Sequence, residues 1–80
     1  MIKPGVYQHY KGNNYEVIGV ARHSEDESQV VVYRPMYGEG ALWVRPLEMF
    51  TEQVSVNGRS VERFRYIGQA AHYEESSIAV

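Results

Sequence analysis

The chain has 80 residues, a formal charge of −2 and no cysteine. A chain of this length makes one domain and buries only about 60% of the surface that its unfolded form exposes, so packing leaves a narrow margin of stability. The missing cysteines remove a disulfide scaffold, a thiolate metal site and a thiol nucleophile, and a weak negative balance with both signs scattered disfavours phosphate-backbone binding.

In chain order, Pro4-Gly5 punctuates the start, and Val6-Tyr7-Gln8-His9-Tyr10 is rich in aromatic and β-branched residues. That pattern predicts a strand, closed by the turn Lys11-Gly12-Asn13-Asn14. Tyr15 to Arg22 reads as a second strand. Strict alternation puts Tyr15, Val17, Gly19 and Ala21 on one face and Ile18 and Val20 on the other. Gly19 within the run signals a bulge or sharp bend that lets a small sheet curl. His23 to Ser28 is polar and acidic and reads as a solvated loop. Gln29-Val30-Val31-Val32-Tyr33-Arg34 is the strongest strand signal in the chain.

The stretch from Tyr33 to Phe50 concentrates rings, arginines and turn residues, and it is read as the centre of the fold. Pro35 cannot donate a ladder hydrogen bond and ends the strand or marks an edge. Gly38 and Gly40 permit a mobile turn into the strand Leu42-Trp43-Val44-Arg45. Pro46 then suits the first position of a single helical turn, Leu47 to Phe50. Asn57-Gly58 between Val54-Ser55-Val56 and Arg59-Ser60-Val61 is a type I′ hairpin signal, because both residues tolerate positive φ. Arg63 to Ile67 reads as an extension of that hairpin. The expected architecture is all-β: a small, strongly bent antiparallel sheet or a partly open SH3-like barrel of five to six strands with one short helical turn. Residues 1–68 form the domain in this reading, and 69–80 a mobile, charged tail.

Four groupings carry possible chemistry. Arg22, Arg34 and Arg45 each stand near a ring, and regular alternation aims Arg45 and Trp43 the same way. A guanidinium beside an indole binds a carboxylate, a phosphate or a base; equally, such arginines cover rings and pair with Glu16, Glu39 or Glu48. His9 or His23, with Ser24, offers a base and a hydroxyl, but no third group orients either imidazole. The acidic loop after His23 lacks the alternating acids and central glycine of a calcium loop, and Gly38-Glu39-Gly40 has no lysine to cradle phosphate. Tyr7, Tyr10, Met36, Tyr37 and Phe64 make either an interface or a tyrosine-rich core.

Longer strings carry a resemblance. Lys3 through Gly12, Tyr15-Glu16-Val17, Gly19 through Glu25, Val31-Val32-Tyr33-Arg34, and Leu42-Trp43-Val44-Arg45-Pro46 with Met49-Phe50 stand in one order. They resemble the bacterial domain-of-unknown-function family numbered sixteen fifty-three, over Lys3 to about Phe64. The resemblance implies a fold-sized unit, here a free-standing copy of a module that related proteins join to other domains. It aligns His9, Lys11, Arg22, His23, Arg34 and Arg45 with the family's polar positions. Pro35 departs from the small or apolar residue usual there.

The resulting expectation is a non-enzymatic binding module. Its ligand-binding residues are Trp43, Arg45, Arg34, Tyr33, His23, Arg22 and His9, with no metal and no cofactor. The ligand is a protein or peptide segment or an anionic small molecule. A small hydrolase or nucleotide-handling enzyme using His23 or His9 as base is the alternative, and single-stranded nucleic-acid stacking ranks third. No segment approaches the ~18 apolar residues of a membrane span, which points to a cytoplasmic protein. A monomer or weak homodimer is expected.

Overall fold

The computed structural model describes residues 2–71 and 73. Seven strands run in the order β1 (Gly5–His9), β2 (Asn14–Arg22), β3 (Gln29–Pro35), β4 (Trp43–Pro46), β5 (Gln53–Val56), β6 (Arg59–Glu62) and β7 (Phe64–Gly68), with one helical turn, α1 (Leu47–Phe50), after β4. The domain is therefore all-β with two strands more than the lower expectation. Five strands form an antiparallel sheet ordered β4-β3-β2-β1-β7, and β5 and β6 form a separate hairpin. The sheet stays open, so the bent-sheet alternative holds and no barrel closes.

Two assignments change. Residues Arg63 to Ile67 do not extend the hairpin; β7 turns back to the free edge of β1, where His9 pairs with Phe64 and Tyr7 with Tyr66. Those alternate apolar residues fit a ladder with either neighbour, and only the long-range β1 edge also buries Phe64 in the core. The second change concerns faces. Val17 pairs with Tyr33 and Gly19 with Val32, which leaves Ile18 as the extra residue of a bulge. One extra residue reverses the alternation beyond it. Val20, opposite Val31, thus joins the face of Val17, and the strict-alternation reading fails from residue 18 onward.

The bulge contributes to a pronounced curl. Strands spaced about 4.8 Å apart would put β3 and β7 about 14 Å apart in a flat sheet. Yet the rings of Tyr33 on β3 and Phe64 on β7 meet at 5.9 Å between centroids. Inside the curl lie Tyr7, Val17, Val31, Tyr33 and Phe64, closed by Phe50 from α1. Phe50 and Phe64 stack in parallel at 4.0 Å. Tyr7 and Phe64 are thus core, while Tyr10 and Tyr37 stay exposed.

Turn chemistry follows the residues. Asn57 and Gly58 take φ of 51° and 79°, as the type I′ reading requires. Gly5, at φ 142°, marks the tightest approach of β1 to β7: a Cβ there would stand 2.7 Å from the Tyr66 ring and 2.8 Å from the Gly68 carbonyl oxygen. At the N-terminal end, the Tyr7 hydroxyl donates to the Lys3 carbonyl at 2.7 Å and accepts from the Lys3 N–H at 3.2 Å. Burial, the larger effect, holds its pKa above the ordinary phenol value.

Ala70, Ala71 and Tyr73 are helical, and the Tyr73 hydroxyl donates to the Ile67 carbonyl at 3.2 Å. His72 and the rest of the expected tail from 74 lie outside the described residues. Among the described residues no helix is long and apolar enough to cross a membrane.

Candidate functional site

The β3–β4 register places Trp43 opposite Tyr33 and Arg45 opposite Val31. Since Tyr33 and Val31 face the core, Trp43 and Arg45 both stand on the inner face of the curl. Tyr15, paired with Tyr7 across β1, shares that face. Its ring has five aromatic neighbours within reach: Tyr33 at 5.7 Å, Tyr37 at 6.0 Å, Trp43 at 6.4 Å, Phe64 at 5.6 Å and the His9 imidazole at 6.3 Å.

Arg45 completes this face. Its Nε donates to the Tyr33 hydroxyl at 3.2 Å, and its guanidinium carbon sits 5.7 Å from the centre of the Phe64 ring. Among the described residues it has no carboxylate within ion-pair distance. A half-buried guanidinium held by one neutral oxygen keeps donors for a further acceptor. Beside it the Tyr15 and Tyr37 hydroxyls share a hydrogen bond at 3.2 Å. That bond first, and burial second, push the Tyr15 pKa up to about 12. The Tyr15 hydroxyl therefore stays neutral and able to donate.

The edge of the sheet lies next to the same face. β4 is an outer strand, and Leu42, Trp43 and Val44 are 63%, 46% and 64% exposed. Trp43 looks inward and Val44 outward, so both sides of this edge carry uncovered apolar surface.

The remaining expected residues divide. His9 joins the inner face: its ring packs on Phe64 at 4.9 Å and on Tyr10 at 4.5 Å. Burial first, then the charges of Arg63, Lys11 and Arg45, hold its pKa below the ordinary histidine value. Its Nδ1 accepts the Lys11 N–H at 3.1 Å, which leaves the proton of the neutral ring on Nε2. Arg34 lies on the opposite face, where it pairs with Glu16 at 2.5 Å. Arg22 and His23 stand at the far β2–β3 turn. Arg22 reaches Glu27 at 3.5 Å, and the His23 Nδ1 accepts the Glu25 N–H at 3.1 Å. Asp26 accepts the Ser28 N–H in that turn at 2.9 Å, and hydrogen bonding from the Ser28 side chain first, then from this N–H, keeps its carboxyl below the usual range.

Tyr15, Tyr37 and Phe64 belong to the face although the sequence singled out none of them as ligand-binding. The available signal was the shared parity of Tyr15 and Val17 within β2. It becomes useful only once the register sets Tyr15 beside Tyr7 and two strands from Trp43.

A family model described as "Protein of unknown function (DUF1653)" matches residues 5–66. The chain belongs to this family. A crystal structure of a DUF1653 protein from Bordetella bronchiseptica is similar at 37% identity and a TM-score of 0.79, covering 86% of this chain and 91% of that one. No curated protein matches the chain. The DUF1653 match spans β1 to Tyr66 in β7, so every ring around Tyr15 and Arg45 falls inside the family unit.

Proposed function

We propose that this DUF1653 domain is a binding module that takes up an extended peptide segment bearing a carboxylate along β4. The observation that carries this reading is Arg45: a half-buried cation with a neutral anchor, no carboxylate partner among the described residues, and an exposed indole beside it. An added strand would supply main-chain hydrogen bonds along the edge, while alternate side chains would reach either face. On the inner side a carboxylate meets Arg45 and an apolar group meets Trp43. On the outer side an apolar residue covers Val44.

Selection from a displayed library of extended peptides tests the reading. The expected result is enrichment of segments with one Asp, Glu or terminal carboxylate among β-branched or aromatic residues. Arg45→Ala then weakens binding by about tenfold or more, the scale of one lost charge-assisted hydrogen bond. Equal enrichment by the wild-type and Arg45→Ala proteins would overturn it. A homodimer formed through the same edge would instead appear as a concentration-dependent mass, and would also count against a peptide as the occupant.

A further inference from the structure

A second concave region lies away from Arg45, between the β1–β2 turn and the β5–β6 hairpin. It is an open cleft of about 770 Å³, within the range of roughly 300–1,000 Å³ common for small-molecule sites. One wall carries His9, Tyr10 and Lys11, the hairpin contributes Ser60 and Glu62, and Arg65 enters from β7.

The polar groups of this cleft are arranged around an uncompensated positive charge. Arg65 Nη2 donates to Gln8 Oε1 at 3.1 Å, and Gln8 Nε2 donates to the Gly12 carbonyl at 3.1 Å. Gln8 therefore ties the guanidinium to the turn through a neutral amide. Neither Arg65 nor Lys11 has a carboxylate partner among the described residues. The Lys11 ammonium lies 5.8 Å from the centre of the Tyr10 ring, and Tyr10 and His9 overlap at 4.5 Å with 31° between planes. With Nδ1 occupied by the Lys11 N–H, the neutral imidazole has Nε2–H as its donor. Glu62 is the one acid of the lining.

We infer that this cleft binds an anionic small molecule carrying a planar ring, of the nucleoside monophosphate class. Lys11 and Arg65, the two cations of the lining, take the phosphate through their charged donors. The ring stacks on Tyr10 and His9, and Glu62 accepts from a hydroxyl or amino group. The site shares only His9 with the peptide-binding face, and it stands or falls independently of that face. The modest negative charge of the whole chain does not oppose it, because the charge that matters is local to the cleft.

Titration of the isotope-labelled full chain with AMP, followed by NMR, tests the inference. AMP is expected to shift the amides of residues 9–12 and the Arg65 side-chain Nε–H. Lys11→Met and Arg65→Met, which keep the apolar stems, should each weaken binding by roughly tenfold without moving the thermal midpoint. Adenosine alone and inorganic phosphate alone should each bind at least about tenfold more weakly than AMP, and Arg45→Ala should change nothing. The inference is overturned by absence of shifts at millimolar AMP, by equal affinity in both methionine variants, or by phosphate binding as tightly as AMP.

Discussion

Phe50 shows how much a single residue of this domain can carry. It is the buried side chain of the helical turn that closes the curled sheet, packed flat on Phe64 and edge-on to Tyr7 and Tyr33. Phe50→Ala is expected to cost about 3–5 kcal/mol, a large part of the roughly 5–15 kcal/mol that holds a small domain folded. Urea denaturation checks this; a loss below about 1 kcal/mol would mean that the core closes without α1. His9 makes a pH-dependent contribution. Its folded pKa is lowered, chiefly by burial against rings and then by Arg63, Lys11 and Arg45. The unfolded chain therefore binds the proton more readily, and the stability associated with neutral His9 is complete above its unfolded pKa of about 6.5. It is lost as pH falls from there through the folded value. Urea midpoints at about pH 7.5 and about pH 5.5 should differ more for the wild type than for His9→Gln. Parallel slopes for the two proteins would contradict this assignment.

At the scale of elements, local chemistry and long-range pairing left different traces in the sequence. The β5–β6 hairpin was legible because Asn57-Gly58 encodes its own turn. Asn57→Val forces a β-branched residue to φ near 51° and should cost about 1–2 kcal/mol by thermal unfolding, with Val56→Ala as a control that leaves the turn intact. The strand of Val30, Val31 and Val32 and the α1 turn after Pro46 were equally readable, since composition alone decides them. The partner of β7 was not. Alternation in Phe64-Arg65-Tyr66 tells which residues share a face, but not which strand edge receives them, and β1 and β6 compete on equal local terms. Faces beyond Gly19 failed for a related reason: the glycine announced a bulge, but the identity of the extra residue, Ile18, follows from register with β3. The edge strand β4 adds a prediction of its own. Replacing Leu42 and Val44 by lysine should leave the unfolding midpoint within about 0.5 kcal/mol of the wild type, since both are exposed, while abolishing peptide capture. Unchanged capture would place the partner elsewhere.

Over the whole molecule, curl is what brings scattered rings and Arg45 onto one face. β4 and β7 are the two outer strands of one sheet, and yet Arg45 on the first lies against Phe64 on the second. That Trp43 and Arg45 share one face was readable from alternation, and so was the all-β class; that this face is the inner one follows from register with β3. The separation of Arg34 onto the outer face, with Glu16, and of Arg22 and His23 at a distant turn was not, because proximity in sequence to a ring says nothing about strand register. The cleft beside the hairpin draws its lining from four strands and one turn.

The most direct test of the peptide-binding account is an NMR titration of the labelled protein with a carboxylate-bearing peptide obtained from the selection. The account predicts that the amides of Trp43, Val44 and Arg45, the Trp43 indole N–H and the Arg45 Nε–H move together, and that these shifts vanish in Arg45→Ala. Shifts confined to β7 or to the β2–β3 turn, or shifts that survive Arg45→Ala, would contradict it.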